Sequence, residues 1–590
     1  MGVDMKHKKV KKRYIAIGIA ILFLVIIGGV IWYANHFLSA ETDIRDTWNI
    51  ETGDFLLSDE ELHVSSFKAS FASDLHVLQI LPEEYEEEGF TYYDETVQER
   101  LAAAIVNLSS NKEHSMEDPL VIFNPFGTTG NGLYFYFHTQ KAGHIQYTIH
   151  VDQEDIPDYT ATAYDQKENT TRHEFQMVGL VPGMTNTVTM ELVGPRGKTL
   201  DTMEFTIDMP DTTSGYAVQL DYTDGDSDAE LSEGLYSLIR VGGYNGYSFF
   251  YDNSGVMRYE MVLEGYSLDR ILWYEDNLLA CVSAYKVAQF NRLGQVVAVY
   301  DTGDYELHHD IALGEEGELL ALASDTNDEV NLEDLLIRID LESGEVTECI
   351  DFKDIFSDYY TEETAPLTVT DEFFWLAGQD DWIHLNTVQY IPEDDSVIVS
   401  SRETSTIIKV TDIHDAPTLK YLIGDEDFWA DTPYADYVYT QEGDFVPQYG
   451  QHTVEYAADS SLPEGQYYLY MYNNNYWVNG TRDSYTIEDL PETVGTVLTS
   501  NSLNSYVYTY LVDENAGTFT LVDWYAVPYS SIVSNVTPSG ENEVVNSGTS
   551  NVYGEYDAQG NLIRQFSYDC ELQTYRVMKE DFVGFWYGAA

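Results

Sequence analysis

Histidine is scarce in this chain, with 14 residues among 590. Four of the histidines stand in three short phrases that open predicted strands, and an arginine follows the second phrase after a Ser-Ser pair. These residues are His308, His309, His384, Arg402 and His452. Imidazole can act as a nucleophile, an acid, a base or a metal ligand near neutral pH, and arginine binds oxyanions through a planar fork. We therefore predict that these side chains form one polar site.

His384 and Arg402 should lie at the same end of one β-hairpin. From His384 the chain runs along one strand, turns at 393–395 and returns through Ser396–Ser401 to Arg402. Because side chains alternate along a strand, His384 and Asn386 are predicted to share one face. The hairpin would then present an imidazole and a guanidinium to the same space.

The first phrase contains two adjacent histidines. Aligning His308 and His309 with His384 and Leu385 places His308 in register with His384. This alignment predicts that His308 points inward and His309 outward. His452 begins a third unit of the same kind, so three units contribute to the predicted site.

Residues 214–590 repeat a strand, a turn that resembles Asp-x-x-Gly, and another strand. Six such turns occur, at 252–255, 291–294, 340–344, 412–416, 513–517 and 557–560. Glycine recurs at the end of the turn because that position needs a positive φ. Units of roughly 40–50 residues are typical of propeller blades. Six turns therefore predict a six-bladed β-propeller, in which residues distant in sequence meet at the mouth of a central channel.

Residues 119–210 alternate between apolar and polar side chains in short segments separated by turns such as 181–183. This pattern predicts a small β-sandwich of the immunoglobulin or fibronectin type. Residues 34–118 are predicted to form a stalk with short helices, and 97–108 has helical apolar spacing. Apart from its anchor, the chain is thus expected to be all-β.

The chain begins with a basic segment at 1–13 and an apolar run at 14–33. About 20 apolar residues are enough to cross a bilayer as a helix. Because basic flanks stay in the cytoplasm, we predict a single-pass signal anchor with the large C-terminal part outside the cytoplasm. A cleaved signal peptide ending near Ala40 is the alternative.

The rest of the chain is strongly acidic. There are 29 Lys and Arg, six of them before residue 14, against 101 Asp and Glu. Such a charge repels phosphate backbones, so nucleic acid is excluded as a partner, and an anionic substrate would need local positive charge. Cys281, Cys349 and Cys570 follow no metal-ligand spacing, and they are predicted to be core residues or to include one disulfide.

Other functions fit some of these residues. A histidine that opens a propeller strand can simply bond to the neighbouring blade. Three histidines with an open fourth position also suit zinc, although Arg402 would repel the metal unless an anion lay between them. The acidic run 224–228 departs from a calcium loop, because Ala229 occupies the glycine position, and it is predicted to be a solvated loop.

The phrases around His308, at 381–386 and at 400–402, and the pair ending at His452, occur in an order that resembles the bacterial arylsulfate sulfotransferases. These enzymes do not use the nucleotide sulfate donor PAPS. The resemblance covers about 118–580, and its most specific part is Asp-Trp-x-His-x-Asn followed by Ser-Ser-Arg. It implies the same fold that the repeats predict, a six-bladed propeller after a β-sandwich.

The resemblance also implies catalytic roles. His452 would be the nucleophile, and His308, His384 and Arg402 would bind the sulfate oxygens. A neutral imidazole is nucleophilic, and arginine suits the spread charge of a loose sulfuryl-transfer transition state. No metal and no dissociable cofactor are expected.

Four further residues are predicted to bind substrate. Asn386 would support the pocket, and His309 is a second histidine beside the first. Trp382 and Tyr390 could hold the phenyl ring, although packing within a blade explains them equally well.

Together these expectations describe an enzyme that moves a sulfuryl group from a phenolic sulfate ester to a phenol by a ping-pong route through a sulfohistidine. The resemblance also suggests a homodimer. The alternatives are a noncatalytic propeller that binds a ligand or partner, and an aryl sulfate hydrolase.

The basic segment before the apolar run leads to a first prediction. External protease added to intact cells should digest the C-terminal domain, and the undigested protein should sediment with membranes. A mature N-terminus near Glu41, mapped by mass spectrometry, would contradict the anchor.

Overall fold

The structure is a computed structural model that describes residues 50–56, 62–67, 75–239, 246–265, 270–361, 380–477, 490–570 and 573–589. The described part is almost entirely β-structure with one long helix, α1 (Glu95–Ser110). The predicted anchor at 14–33 lies outside the described residues. None of the described helices is long and apolar enough to cross a membrane.

The first domain contains nine strands. They are β1 (Ile50–Leu56), β2 (Leu62–Phe67), β3 (Val77–Pro82), β4 (Leu120–Phe123), β5 (Leu133–Val151), β6 (Tyr159–Thr162), β7 (Thr170–Met177), β8 (Thr185–Val193) and β9 (Thr199–Asp208). The first half of β5 pairs with β4 and β7, and its second half pairs with β6 and β8. The rings of Phe135 and Phe205, 5.9 Å apart, meet in the core between the two layers. The domain therefore contains the sandwich predicted at 119–210. However, β1–β3 extend its sheet into 34–118, where a stalk with short helices was predicted, so that part of the domain prediction is wrong.

Helix α1 forms where the apolar spacing predicts it. Asp94 caps its first turn, because the Val97 N–H donates to the Asp94 carboxylate at 3.0 Å. Leu101 is buried in a cluster with strands β3 and β4. The Val296 N–H donates to Gln98 Oε1 at 3.1 Å, which ties the helix to the following domain.

The second domain begins after β9. Its first strands are β10 (Asp221–Asp224), β11 (Leu235–Ile239), β12 (Tyr247–Tyr251), β13 (Met257–Val262), β14 (Ile271–Tyr274), β15 (Asn277–Ser283), β16 (Lys286–Phe290), β17 (Val296–Asp301), β18 (Tyr305–Leu313), β19 (Glu318–Asp325), β20 (Leu335–Asp340) and β21 (Val346–Asp351). The later strands are β22 (Leu385–Ile391), β23 (Ser396–Ser401), β24 (Thr406–Thr411), β25 (Thr418–Ile423), β26 (Thr440–Gln441), β27 (His452–Ala457), β28 (Gln466–Asn473), β29 (Asn504–Asp513), β30 (Thr518–Pro528), β31 (Asn535–Ser539), β32 (Asn542–Ser547), β33 (Val552–Tyr556), β34 (Leu562–Ser567) and β35 (Val577–Glu580).

These strands form six sheets, the blades of the predicted propeller, and all their pairings are antiparallel except that of the short β26 with β30. In chain order they are blade 1 (β11–β13 with β35), blade 2 (β14–β17), blade 3 (β18–β21), blade 4 (β22–β25), blade 5 (β27–β30 with β26) and blade 6 (β31–β34 with β10). Short helices α2 (Phe352–Ile355), α3 (Ser357–Thr361) and α4 (Glu426–Trp429) and 3-10 turns at Glu83–Glu86, Ala435–Tyr437 and Gly548–Ser550 complete the described structure. The inner strands β18, β22 and β27 lie side by side around the channel.

Exchange of the terminal strands closes the ring. β10, from the start of the domain, pairs with β34 of blade 6, and β35, from its end, pairs with β11 of blade 1. A buried ion pair between Lys579 and Glu555, 2.7 Å apart, joins the same two blades. As a result, the last segment of the chain runs along the channel beside blades 3 to 5.

The turns and cysteines can be compared with their predictions. Gly294 and Gly560 end their turns with φ values of 81° and 73°, as predicted. All three cysteines lie in the described part of the chain, and no disulfide joins them. Cys281 is buried, whereas Cys349 and Cys570 are half-buried, so only the first is the core residue that was predicted.

Candidate active site at the channel mouth

The predicted site residues meet where the inner strands of blades 3, 4 and 5 are irregular. The pairing register shifts between Leu307 and Ile311 in β18, after Leu385 in β22, and after His452 in β27. The register shift in each blade accompanies a residue with left-handed backbone, and these residues are His309 (φ 54°), His384 (φ 47°) and Thr453 (φ 50°). Such conformations cost on the order of 1–3 kcal/mol outside glycine and cluster at functional sites.

This geometry corrects the register of the two adjacent histidines. The left-handed residue that corresponds to His384 is His309, not His308. The His309 ring lies 4.8 Å from the His384 ring, whereas His308 is buried behind it with its Nδ1 3.0 Å from His309 Nδ1. The prediction that His309 points outward is therefore wrong, because a bulge shifts the alternation on which it depended. His308 is buried, with a ring nitrogen close to Glu333, so both histidines belong to the site.

The hairpin prediction for His384 and Arg402 is confirmed. The Arg402 N–H donates to the His384 carbonyl at 3.1 Å. Both side chains bind the same carboxylate oxygen of Asp381, at 2.6 Å from His384 Nδ1 and 3.1 Å from Arg402 Nη2. A second carboxylate, Glu333, lies 2.7 Å from His384 Nδ1. However, Asn386 sits in the bulge, so the predicted alternation of His384 and Asn386 along a regular strand does not hold.

These carboxylates set the charge of His384. Burial and the charge of Arg402 both act to lower the pKa of His384, but Asp381 and Glu333 outweigh them and raise that pKa to about 9. Burial likewise acts to raise the pKa of Asp381, yet the neighbouring cations hold it below its ordinary value. His384 is therefore an imidazolium at neutral pH, beside a permanently charged guanidinium.

His452 has the opposite surroundings. Its side chain is buried, and its Nδ1 lies 2.8 Å from Asn474 Oδ1 and 3.0 Å from the Gly450 carbonyl. Burial lowers the pKa of His452 well below its ordinary value, and the charge of His384 acts in the same direction. His384 contacts carboxylates, whereas His452 contacts neutral acceptors. His452 is therefore an uncharged imidazole at neutral pH.

Tyr575 connects the two parts of the site. Its ring lies 5.5 Å from the His309 ring and 5.6 Å from the His452 ring. Its hydroxyl donates to the Asn386 carbonyl at 2.5 Å, and Asn386 Nδ2 donates to the Gln451 carbonyl at 2.8 Å. Asn386 thus supports the contact between blades 4 and 5, and Tyr575 lines the space between the histidines.

Sequence reasoning missed Tyr575, Glu333 and the role of Asp381. Tyr575 is one of 47 tyrosines, and only ring closure brings its segment to the channel. Asp381 lies within the segment 381–386 that the sequence analysis had already selected. An acidic residue three positions before a histidine could have indicated that the two side chains pair. Glu333 has no comparable signal, because it comes from blade 3.

The two aromatic residues predicted to hold a phenyl ring lie elsewhere. Trp382 is fully buried and its indole N–H donates to Asp334 at 2.9 Å, within the core of blade 4. Tyr390 contacts the ring of His414 at 5.9 Å. It lies six residues along the strand from His384, which is about 20 Å at 3.3 Å per residue. For these two residues, the packing explanation is the correct one.

Among the described residues, two groups bring possible metal ligands together. Ligand atoms of His308, His309 and Glu333 lie within 4.8 Å of one another, and so do those of Glu333, Asp381 and His384. In the second group His384 Nδ1 faces both carboxylates, and it can hold either a proton or a metal ion. The neighbouring Arg402 favours the proton, because its fixed positive charge, 3.1 Å from Asp381, would repel a divalent metal.

The arrangement can bind an anion and attack it. A buried imidazolium and guanidinium supply positive charge and N–H donors, and a neutral imidazole with a nitrogen lone pair lies close enough to feel both charges. These groups suit transfer of an anionic group to nitrogen, since the cations stabilise the charge while the nucleophile remains unprotonated.

Comparison with known proteins gives two family matches. Residues 222–580 match the family model described as Arylsulfotransferase (ASST), and residues 120–210 match the Arylsulfotransferase Ig-like domain. No curated protein matches the chain. Similar solved structures include an auxiliary nutrient binding protein from Bacteroides thetaiotaomicron, at 9% identity over 76% of this chain and 87% of that chain, with a TM-score of 0.28. Another is the periplasmic gluconolactonase of Pseudomonas aeruginosa, at 8% identity over 74% of this chain and 99% of that chain, with a TM-score of 0.28.

The shared carboxylate of Asp381 leads to a prediction about His384. Replacing Asp381 by Asn should lower the pKa of His384 from about 9 towards its ordinary value, because a neutral amide no longer favours the imidazolium. Nuclear magnetic resonance titration of 15N-histidine-labelled protein would measure this pKa, with His384→Gln identifying the signal. An unchanged pKa would show that Asp381 does not set the charge.

The metal question has a separate test. If His384 Nδ1 holds a proton, the purified protein should contain no stoichiometric zinc, and added zinc should leave its melting temperature unchanged. A metal bound only to the folded state would raise that temperature in a concentration-dependent way. Stoichiometric zinc by elemental analysis, lost together with stability on chelation and lost again in Glu333→Gln, would establish a metal centre instead.

Proposed function

Since this chain belongs to the arylsulfotransferase (ASST) family, we propose that it moves a sulfuryl group from a phenolic sulfate ester to a phenolic acceptor. The observation that supports this activity best is the contrast between two buried histidines. His384, with two carboxylates, is held as a cation, and His452, with neutral acceptors, is held as a free base. Sulfuryl transfer through nitrogen needs both states at once.

In the first half-reaction, the sulfate oxygens of the donor are bound by Arg402 and His384. A ring nitrogen of His452 forms a bond to sulfur while the ester S–O bond breaks, which gives a sulfohistidine and a phenolate. The phenolate oxygen takes a proton from His384, and the free phenol leaves. Charge on the transferring group is spread over its three equatorial oxygens, where the fixed fork of Arg402 stabilises it most.

The second half-reaction reverses these steps with a different phenol. The acceptor hydroxyl gives its proton to His384, its oxygen attacks sulfur, and the N–S bond breaks to restore His452. The route is therefore ping-pong, and the same pocket binds donor and acceptor in turn. Tyr575, between His309 and His452, is placed to contact the phenyl ring of either molecule.

We also propose a location for this reaction. The basic segment at 1–13 and the apolar run at 14–33 support a single-pass anchor that leaves the propeller outside the cytoplasm. The family's independence of a nucleotide sulfate donor fits such a location, because a stable sulfate ester and a phenol are the two reactants required.

The intermediate gives the central prediction. Incubating the protein with an aryl sulfate alone should add one sulfuryl group to the peptide that contains His452, as seen by mass spectrometry under alkaline conditions. His452→Asn should abolish both the label and turnover, because asparagine has no nucleophilic ring nitrogen. His173→Asn is the control, since His173 is also buried but lies in the sandwich domain, where it contacts a carboxylate, Asp165, at 2.7 Å.

Arg402→Lys separates the stabiliser from the nucleophile. Lysine keeps the charge but loses the planar fork, so labelling should slow by about 10²-fold while its position stays at His452. Arg258→Lys is the control, because Arg258 is equally buried and pairs with Asp252 at 2.7 Å, far from the site. A label on His309 or His384 would contradict the assigned nucleophile. Release of inorganic sulfate without any dependence on phenol would indicate a hydrolase, and no label with several aryl sulfates would favour a binding protein.

A further inference from the structure

Asn474 contacts His452, and its orientation is fixed by backbone groups. It follows β28 and is fully buried. Its Nδ2 donates to the Ser530 carbonyl at 2.8 Å and to the Val533 carbonyl at 2.9 Å. A primary amide has two N–H donors on one side and an oxygen acceptor on the other. Rotating the amide by 180° would bring its oxygen against two carbonyl oxygens, so the observed orientation is the one that the surroundings allow.

This orientation determines which nitrogen of His452 carries the proton. Asn474 Oδ1 and the Gly450 carbonyl, at 2.8 and 3.0 Å from Nδ1, can only accept hydrogen bonds. Nδ1 must therefore be the donor. On the other side of the ring, the Val533 N–H points to Nε2 at 3.3 Å, where it needs an acceptor. All three contacts agree on a neutral ring with a proton on Nδ1 and a lone pair on Nε2.

We propose that Asn474 is a positioning residue that holds His452 as the Nδ1–H tautomer and so makes Nε2 the atom that receives the sulfuryl group. The proposal rests on the function proposed above, and it adds the atom and the residue that selects it. Asn474 does not touch the substrate. It acts by directing the lone pair of His452, and the Val533 N–H, from which this lone pair accepts a hydrogen bond, has to be released when Nε2 bonds to sulfur.

The chemistry explains why an amide suits this position better than a carboxylate. A carboxylate beside a histidine orients the ring but also favours the imidazolium, which has no free lone pair. That suits a general base, whose task is to accept a proton. A histidine that must bond to sulfur has to stay unprotonated, and a neutral acceptor orients it without attracting a proton.

Within the described residues, the charged and titratable groups shown to act on His452 are His384 and Arg402 from blade 4 and, through its ring, Tyr575. None of these supplies a negative charge at neutral pH. Introducing a carboxylate at position 474 would therefore change the balance of charge around the ring.

The first test reads the tautomer without requiring any reaction. The full chain, labelled with 15N-histidine, should show His452 with a protonated Nδ1 and an unprotonated Nε2 at pH 7, and His452→Asn identifies the signals. In Asn474→Leu, the share of the Nε2–H form should increase, because the shorter of the two Nδ1 acceptor contacts is lost while the Gly450 carbonyl and the Val533 N–H remain. A wild-type His452 seen as the Nε2–H form or as an imidazolium at pH 7 would overturn the proposal, whatever the activity proves to be.

The second test uses the pH dependence of labelling by an aryl sulfate. Asn474→Asp keeps an acceptor but adds a charge, so the acid limb of the labelling rate should move to higher pH, with a loss of about 10-fold or more at pH 6 relative to pH 8. Asn474→Leu should slow labelling at every pH. Asn186→Asp is the matched control, because Asn186 also donates to two backbone carbonyls, of Val181 and Met184, but lies in the sandwich domain.

The outcomes of this second test are distinct. An acid limb that stays in place in a folded Asn474→Asp protein would overturn the role of Asn474 while leaving the sulfotransferase activity intact. A sulfuryl group found on Nδ1 of His452, located by fragmentation of the labelled peptide, would do the same. Absence of any label in the wild-type protein would count against the proposed function, and the tautomer measurement would still decide the inference about Asn474.

Discussion

The site depends on one constraint, which is the cost of burying a charge without a partner. An ionised group loses its hydration when it is buried, so the protonation state of a buried histidine follows from the groups that contact it. His384 is a cation because Asp381 and Glu333 face it, and His452 is neutral because burial and the charge of His384 lower its pKa while the acceptors at its Nδ1 are an uncharged amide and a carbonyl. Two imidazoles in one pocket thus take opposite states, as acid and base pairs do at many enzyme sites. The roles proposed for the site follow from this difference.

The propeller makes this difference attainable. Each imidazole comes from a separate inner strand, and each strand is held by the remaining strands of its own blade. The left-handed residues His309 and His384 show that the backbone departs from regular pairing where it meets the channel. Their strain is sustained by ordered strands on both sides, such as the full pairing of β23 with β24. A flexible loop could not keep Asp381 in contact with both His384 and Arg402, and a regular strand would not turn those side chains towards it.

The fold and the site differ in how far sequence predicts them. The six turns predicted the propeller and the alternating segments predicted the sandwich, because both patterns depend on local backbone geometry. The hairpin from His384 to Arg402 was also predictable, since two strands and a turn fix where its ends meet. The predicted orientation of His309 was wrong because a β-bulge shifts the alternation of side chains, and a sequence pattern with a period of two does not reveal a bulge. Tyr575 and Glu333 could not be found because ring closure and blade neighbours bring them to the site from distant segments. Trp382 was predicted to hold the phenyl ring because it is an aromatic residue close to His384 in sequence. Neighbouring residues can face opposite sides of the chain, however, and Trp382 faces the core.

The charge count of the pocket bears on what the site stabilises. Arg402 and the His384 imidazolium face three carboxylates, those of Asp381, Glu333 and Glu403, so the cluster has no excess of positive charge before substrate arrives. In a chain with a formal net charge of −72, such a cluster offers little long-range attraction to an anion. Its contribution is instead short-range, through N–H donors at fixed, buried positions. Interactions of that kind strengthen as charge develops on the equatorial oxygens, and they add little to the binding of the resting ester. The paired carboxylates therefore keep His384 protonated, and under the proposed function they would also limit the affinity of the site for the resting donor, which would leave the interactions of the cations for the transition state.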